Sequence, residues 1–430
     1  MNGIAGQFVC HGCGAQVDAT LLLPFRCPGA MAGGDVDHVL VPQDAGSAEI
    51  IANSDNPYLR YRQFLTAYGL ARRVGLPDEA WTEIVERLDE ALKVVDGAGF
   101  RLTPMTSQPA LAGALGLTGT LWVKDETGNV AGSHKARHLM GVMLYLRVIA
   151  AARLPVAEGL RHRRLAIASC GNAALAAAVI ARAADWPIDV FIPPEASKVV
   201  VHRLKGLGAT ISICERRVGE QGDPCFLRFR EAVVAGAIPF GVQGTENGLA
   251  IEGGRTLAFE MAEALGRAQV KFDALFVQVG GGALASALAQ GFDMAVRHGV
   301  TKQSPRIFAV QTQACAPLAR AWLRIASSHV DELAQARTRY MWPWEDLRAS
   351  VAHGILDDET YDWLEIVAAM RRDGGQPVVV DEATLERARH EGGRLTGISV
   401  SATGTAGLAG LMAAAPVSGQ AAVVFSGVDR

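Results

Sequence analysis

The sequence predicts an α/β protein whose parallel sheets are covered by helices on both faces. From about residue 100 onward, short β-branched or apolar runs alternate with alanine-rich stretches of helical character, and this alternation is typical of parallel sheets. The composition agrees, because 47 of the 430 residues are glycine and only 6% are aromatic. Glycine suits tight strand-to-helix turns, whereas proteins built from strands alone are richer in aromatic residues.

Seven apolar runs are the predicted strands. They are LWVKDE from position 121, LAIAS from 165, IDVFI from 188, ATISI from 209, FDALFVQVG from 272, RIFAVQT from 306 and AAVVFS from 421. A helical pattern covers residues 56 to about 95, with Pro77 and the two acidic residues after it as a helix start. The long apolar stretch from Leu139 is interrupted by Arg147 and Arg153, so it predicts a buried helix and not a membrane span.

Charge and cysteine content exclude several classes of function. The 41 basic and 44 acidic residues nearly cancel, so no strong field attracts nucleic acid or an anionic membrane, and a small-molecule substrate is expected. The first ten residues lack the basic and apolar regions of a secretory signal, so we expect a cytoplasmic protein. Three of the seven cysteines lie in the first thirty residues and the others are scattered, which is not a disulfide framework.

Lys135 is the first candidate for chemistry. It lies in the motif Gly132-Ser-His-Lys-Ala-Arg, after a predicted strand and at the start of a long helix. The positive end of a helix dipole disfavours a cation and lowers the pKa of a lysine placed there. A neutral amine is what Schiff-base formation with an aldehyde requires. These residues alone are equally compatible with a solvated lysine that follows a turn.

A second candidate loop lies between the predicted strand LAIAS and the next helix. It consists of Ser169, Cys170, Gly171 and Asn172. Backbone amides at a strand-to-helix turn can hold a carboxylate, and hydroxyl and amide side chains add hydrogen bonds. By itself the loop could also be only a tight turn with Asn172 as the helix N-cap.

The third candidate is a run of glycines after the predicted strand from 272. Gly280, Gly281, Gly282, Ala283 and Leu284 lead from this strand into an alanine-rich helix. Consecutive glycines let backbone amides approach a phosphate, and the helix dipole adds attraction. The alternative is a flexible connector. The loop lacks both the spacing of a dinucleotide fingerprint and the lysine of a nucleoside-triphosphate loop.

Ser426 is the fourth candidate, because it follows the last predicted strand. Ligands of open α/β sheets bind at the carboxyl ends of the strands. A single serine near the C-terminus is otherwise an ordinary turn residue.

In this order and spacing, the four motifs resemble those of fold-type II pyridoxal-phosphate (PLP) enzymes, over about residues 100 to 430. The family includes threonine synthase, the serine and threonine dehydratases and the tryptophan synthase β subunit. The resemblance implies two doubly wound, mostly parallel domains within residues 46–430, with a smaller subdomain of about residues 130–240 inserted in the larger one. It implies a Schiff base between Lys135 and PLP. It also implies that the loop at 169–172 holds the substrate carboxylate, with Asn172 beside the cofactor ring, that the loop at 280–284 holds the phosphate, and that Ser426 contacts the pyridine nitrogen.

The resemblance implies a lyase that removes the β-substituent of a small L-amino acid such as serine or threonine. Two alternatives stay open: a threonine synthase-like reaction on a phosphorylated or γ-substituted amino acid, and a PLP-binding partner subunit with little activity alone. His134 is a further substrate-binding candidate, and it stands where dehydratases usually carry phenylalanine. A phosphorylated substrate would need a second anion site, for which His134, Arg137 and Lys198 are candidates. The irregular stretch at His353-Gly354 is a candidate part of the substrate pocket. A homodimer is expected from the base rate of soluble oligomers.

Residues 1–45 form a separate cysteine-containing segment. Its Cys10, Cys13 and Cys27 resemble a short ribbon-like segment found on some threonine synthase-like proteins. A structural zinc site takes four ligands, and His38 could complete a Cys₃His set. A segment with free thiols and no metal would have the same sequence.

Overall fold

A computed structural model describes residues 4–31, 34–44, 46, 48–325, 329–414 and 419–429. Within these residues, thirteen strands form three sheets. The strands are β1 (Gln7–Cys10), β2 (Gln16–Asp18), β3 (Leu40–Pro42), β4 (Met105–Ser107), β5 (Thr120–Asp125), β6 (Leu165–Ala168), β7 (Ile188–Ile192), β8 (Thr210–Ile213), β9 (Ile238–Pro239), β10 (Ala274–Gln278), β11 (Arg306–Thr312), β12 (Gln376–Val380) and β13 (Gln420–Phe425).

Helices connect and cover these strands. In the described part of the chain they are α1 (Pro57–Arg60), α2 (Thr66–Arg73), α3 (Asp78–Asp96), α4 (Pro109–Ala114), α5 (Lys135–Ala151), α6 (Asn172–Ala183), α7 (Lys198–Gly206), α8 (Pro224–Val234), α9 (Arg255–Ala268), α10 (Ala283–Arg297), α11 (Pro317–Arg324), α12 (Val330–Gln335), α13 (Arg337–Tyr340), α14 (Trp363–Asp373), α15 (Glu382–Thr396) and α16 (Ala402–Ala413).

The larger sheet has six strands in the order β12-β11-β10-β13-β5-β4. All neighbours pair in parallel except β4 and β5, which are antiparallel. Parallel pairing places the carboxyl ends of β5, β10 and β13 at one edge. The candidate lysine, the glycine loop and Ser426 therefore follow neighbouring strand ends.

The smaller parallel sheet has four strands in the order β8-β7-β6-β9. All four lie in the chain between β5 and β10, so this sheet is inserted into the larger one. Together with the helices, the two sheets confirm the predicted α/β fold class. The exact domain boundaries stay a prediction.

The N-terminal segment forms its own small antiparallel sheet, in the order β2-β1-β3. Phe8 and Val17 are buried in this segment at 0% and 2% exposure, and they belong to the same apolar cluster as helices α2, α3 and α5. The segment is therefore packed against the catalytic body.

Helix α5 follows the candidate lysine and is the most buried of the long helices around the site. Nearly every residue from Ala136 to Ile149 is enclosed, as predicted for the apolar stretch from Leu139. Among the described residues, no single helix combines the length and apolar composition needed to cross a bilayer. One pair, α5 with Pro155–His162, passes that test jointly but bends by 117° between its halves.

Candidate active site

Lys135 is the first residue of α5 and follows a short 3₁₀ turn, Val130–Gly132. Desolvation lowers the pKa of its amine, although the carboxylates of Asp357 and Asp362 act in the opposite direction. Both carboxylates are therefore close enough to the amine to act on it electrostatically. A lysine with a lowered pKa is neutral for more of the time and is a better nucleophile and base.

The residue before the lysine is bonded to the end of the last strand. The backbone N–H of His134 donates to Oγ of Ser426 at 3.0 Å, and the ring Nδ1 lies 2.6 Å from the same oxygen. Both residues are buried. Desolvation, followed by the nearby charge of Lys135, lowers the pKa of His134 well below 6.5. The imidazole is therefore neutral at physiological pH.

A buried ion-pair network fixes the first turn of α5. Arg137 is fully buried and donates to Glu126 at 2.7 Å and to Glu260 at 2.6 Å. Lys124 also donates to Glu260 at 2.6 Å. Because its guanidinium is committed to two carboxylates inside the protein, Arg137 is not available to bind a substrate anion. This prediction is wrong: a charge near the catalytic lysine in sequence points here into the core.

The Ser169–Asn172 loop lies at the start of α6, where the chain leaves β6. Asn172 is the first helical residue and Gly171 is the N-cap, without a side-chain capping bond. The side chain of Asn172 reaches the end of β13, since a Cβ built on Gly427 would lie 2.7 Å from its Nδ2. The loop of the smaller sheet thus meets the C-terminal strand of the larger one, next to Ser426.

Cys170 is the side chain of this loop that faces the acidic side of the site. Desolvation raises the pKa of its thiol, and the nearby carboxylates of Asp223, Glu195 and Asp357 raise it further. The thiol is therefore protonated near neutral pH, and Asp357 is a neighbour of both Cys170 and Lys135.

The glycine loop joins β10 to α10. Gly282 is the N-cap of α10 with φ of 97°, in the left-handed region that favours glycine. Ala283 and Leu284 are the first helical residues, and both are 3% exposed. The loop therefore places successive backbone amides at the positive end of a fifteen-residue helix.

The glycine loop already holds an anion from the chain itself, the carboxylate of Asp357. The backbone N–H of Gly281 donates to this carboxylate. A Cβ built on Gly280 would lie only 2.2 Å from Asp357 Oδ2, so a side chain at this position would displace the carboxylate. The loop is thus shaped and polarised for an oxygen anion.

The segment that carries Asp357 is tied to the glycine loop on both sides of that residue. Thr360 Oγ1 donates to the carbonyl oxygen of Gly280 at 3.0 Å, and the N–H of Asp362 donates to that of Gly281, also at 3.0 Å. The Asp362 carboxyl accepts the N–H of Gly244 at 3.1 Å. Residues 355–362 therefore cover the loop as one bonded strap.

The strap was only partly expected from the sequence. The irregular stretch at His353-Gly354 does lie beside the site, where the N–H of Gly354 donates to Thr403 Oγ1 at 3.0 Å. Asp357 and Asp362 were not predicted. The run Asp357-Asp358-Glu359 is the signal in the sequence, but acidic runs are usually solvated, so only the fold shows that carboxyls of this segment turn inward.

Three of the four predicted motifs meet through direct contacts, and Asp357 joins the glycine loop to them. His134 contacts Ser426, Asn172 reaches the backbone beside Ser426, and Asp357 lies between the glycine loop and the lysine. Lys198, in contrast, is exposed at the start of α7. The N-terminal candidates Cys10, Cys13, Cys27 and His38 cluster away from this site, in the small antiparallel sheet.

Comparison with known proteins agrees with this geometry. A family described as "Pyridoxal-phosphate dependent enzyme" matches residues 98–427, so the chain belongs to that family. A rat protein named "Serine dehydratase-like" is 30% identical over 191 residues, which is 44% of this chain and 52% of the rat protein. The chain thus spans about half the length of this relative. Threonine synthase of Mycobacterium tuberculosis is 25% identical over 317 residues, covering 73% of this chain and 75% of that one.

Solved structures show the same fold. A threonine deaminase, from the organism abbreviated T.th., superposes with a TM-score of 0.59 at 21% identity, covering 80% of this chain and 98% of that one. At this identity the likeness concerns the fold alone. The enzyme class and the PLP cofactor follow from the family.

The residues of this site fit the cofactor of the family. Its phosphate requires convergent amides, and the glycine loop offers them with a carboxylate already in place as a stand-in anion. Its aldehyde requires an accessible amine, and Lys135 makes no hydrogen bond or ion pair among the described residues. Its ring requires a polar group opposite the lysine, which Ser426 offers.

Proposed function

We propose that this chain is a lyase that eliminates the β-substituent from a small L-amino acid such as serine or threonine. The observation that carries the proposal is the convergence of a low-pKa lysine, a carboxylate-binding helix start and an anion-binding glycine loop around a neutral serine hydroxyl. The relatives named serine dehydratase-like and threonine deaminase support the same class of reaction. The matched stretch covers only about half of the rat relative, so its activity is taken here as a hypothesis to test.

In this proposal, the glycine loop and the start of α10 hold the cofactor phosphate, and the loop Ser169–Asn172 at the start of α6 holds the substrate carboxylate. Bound PLP supplies an electron sink that stabilises negative charge at the substrate α-carbon. Lys135 anchors the cofactor when no substrate is present. Each group thus has a defined partner on one of two helix N-termini or on the lysine.

Lys135 moves the proton of the reaction. Once the substrate amine has displaced it, its neutral Nζ accepts the α-proton, as the lowered pKa favours. The resulting ammonium can return a proton to the departing hydroxyl, so that water leaves as the Cβ–O bond breaks. The released enamine takes up water and yields an oxo acid and ammonia.

Ser426 directs the reaction towards elimination. Its Oγ accepts the N–H of His134, and with the proton on His134 Nδ1 it accepts a second bond. The remaining function of the hydroxyl is to donate, which suits an unprotonated ring nitrogen. A neutral partner cannot stabilise a charged ring as a carboxylate does, so prompt loss of the β-substituent is favoured over a long-lived carbanion.

The test is product formation by PLP-loaded protein with serine, threonine and O-phosphohomoserine. We expect pyruvate from serine or 2-oxobutyrate from threonine, with equal ammonia. Lys135→Ala abolishes the product, whereas Lys198→Ala, a matched change of an exposed lysine at another helix start, leaves it intact. Borohydride reduction followed by peptide mapping should place the cofactor on Lys135. Reduction onto another lysine, or oxo acid made by Lys135→Ala, would overturn the proposal.

Threonine synthase activity is the second candidate, favoured by the 317-residue alignment with the M. tuberculosis enzyme. Phosphate and threonine released from O-phosphohomoserine, without oxo acid, would support it. The burial of Arg137 removes one candidate for the second anion site that this reaction needs. A third candidate, a partner subunit, would bind PLP and turn over none of these substrates alone. We propose a homodimer, which light scattering of the purified protein tests.

A further inference from the structure

We propose that the N-terminal segment binds one zinc ion through Cys10, Cys13, Cys27 and His38, and that this ion holds the strap over the glycine loop. The three sulfurs and one ring nitrogen all lie within 4.8 Å of one another. Four ligands from three parts of the segment meet at one point. This site lies outside the lysine site and is independent of its chemistry.

The spacing within the cluster is that of a tetrahedral metal site. Cys13 Sγ and Cys27 Sγ are 3.5 Å apart, as are Cys10 Sγ and His38 Nδ1. With Zn–S bonds of about 2.3 Å, two sulfurs of a tetrahedral site lie about 3.8 Å apart. A disulfide bond is about 2.05 Å long, so Cys13 and Cys27 are not bonded to each other. The pairs are at metal-bridging distance.

The surroundings support thiolate ligands in a closed site. Cys10 and Cys27 are 1% and 3% exposed, and the N–H of Gly29 donates to Cys27 Sγ at 3.3 Å. Such outer hydrogen bonds orient and stabilise metal ligands. A Cβ on Gly29 would lie 3.2 Å from Cys13 Sγ and 3.6 Å from both Cys27 Sγ and the His38 ring. The glycine thus leaves the space that the cluster occupies.

The segment has a structural need for an ion. Its sheet consists of strands of three or four residues, and segments of this size seldom fold on apolar burial alone. In small ribbons, metal binding supplies the free energy of folding. With four protein ligands and no open position, the site is structural and not catalytic.

The ribbon contacts the strap directly. Asp37, next to the ligand His38, accepts the indole N–H of Trp363 at 2.6 Å. Trp363 follows Asp362, whose N–H donates to Gly281 of the glycine loop. A second contact joins His11, between two ligands, to Glu365 at 2.6 Å. The ion therefore fixes the ribbon that anchors the end of the strap and the start of α14.

Zinc content of the full-length purified protein tests the site. We expect about one zinc per chain by mass spectrometry of the metal, released when a mercurial blocks the thiols. Cys10→Ser and Cys27→Ser should lose it, whereas Cys214→Ser, a buried cysteine of the smaller sheet, should keep it. Because the serine variants could fail through misfolding, His38→Cys is the second test: a Cys₄ set should retain zinc. Cobalt in place of zinc should give the visible bands of tetrahedral thiolate coordination.

Folded protein that holds no zinc after incubation with excess zinc chloride and desalting would overturn the site. Zinc that persists in Cys10→Ser would do the same. The link to the strap rests on the proposed function and has its own readout. We expect zinc removal to weaken PLP retention at least several-fold. Unchanged PLP retention after complete zinc removal would overturn the link alone, while an inactive protein with one bound zinc would count only against the proposed function.

Discussion

The ring Nδ1 of His134 lies 2.6 Å from Oγ of Ser426, a residue 292 positions away in the chain. This bond joins the residue before the candidate Schiff-base lysine to the end of the central strand β13. It explains why histidine is compatible with a position where dehydratases usually carry phenylalanine. A ring that is neutral and bonded to a serine acts as a positioning group and needs no charge.

The first prediction concerns this histidine. Because desolvation lowers the pKa of His134 well below 6.5, its ring should stay neutral from pH 6 to pH 9. His134→Phe should therefore lower the rate constant, since Ser426 loses one partner, but leave the shape of the pH–rate profile unchanged. The measurement is kcat against pH for both proteins, with Ser426→Thr as a hydroxyl-retaining control. Loss of a titration step near pH 6.5 in the variant would contradict a neutral His134.

Much of the larger architecture could be predicted because it depends on local patterns. All seven predicted strands exist, since apolar runs bounded by turn residues mark buried parallel strands. The unpredicted strands lack that signal. β9 has two residues, and β4 is largely exposed on an edge. β12 begins Gln-Pro in a stretch whose rhythm is irregular.

The site was predictable only where its residues sit beside strands. Lys135, the glycine loop and Ser426 each follow a strand end, so their meeting follows from parallel topology. Asp357 reaches the glycine loop from a distant part of the chain, in a segment without periodicity. Such a contact depends on tertiary packing and has no local signature.

The second prediction is that Asp357 competes with the cofactor phosphate. Its carboxylate accepts the N–H of Gly281, and two anions cannot share those amides without strong repulsion. Asp357→Asn should therefore bind PLP several-fold more tightly. The measurement is fluorescence titration of the apoprotein. Asp358→Asn is the matched control, because the neighbouring carboxylate bonds to Tyr361 at 3.4 Å. Weaker binding by Asp357→Asn would mean that the carboxylate helps to hold the cofactor.

The third prediction concerns the pH dependence of stability. Burial raises the pKa of Asp362 from 3.8 to about 8, so the folded apoprotein keeps a proton that the unfolded chain loses. This contribution to stability is complete below pH 3.8 and is lost as the pH rises through 8. Asp362→Asn has no such proton. The variant should gain stability relative to the wild type by up to about 1.4 kcal/mol per pH unit in this window.

Urea unfolding of both apoproteins between pH 5 and pH 9 measures the difference, in which the titrations common to both proteins cancel. The difference should level off above about pH 8, as set by the pKa of Asp362. Glu386→Gln, at an exposed carboxyl on α15, should show no such trend. A difference that is flat across the range would show that Asp362 is ionised in the folded protein.

The last prediction concerns the ion-pair network beneath the lysine. Replacing Arg137 by methionine removes the partner of Glu126 and one of the two partners of Glu260 inside the protein. Uncompensated buried charges are costly, and breaking such a pair typically destabilises a protein by about 3–5 kcal/mol. The exposed pair of Arg164 and Asp189 is the control, since surface pairs contribute about 1 kcal/mol or less. Arg137→Met should therefore unfold at a much lower urea concentration than Arg164→Met, with similar m-values. Equal midpoints would mean that Glu126 takes up a proton at little cost when its partner is removed, and that the packing of α5, without the charges, holds Lys135 in place.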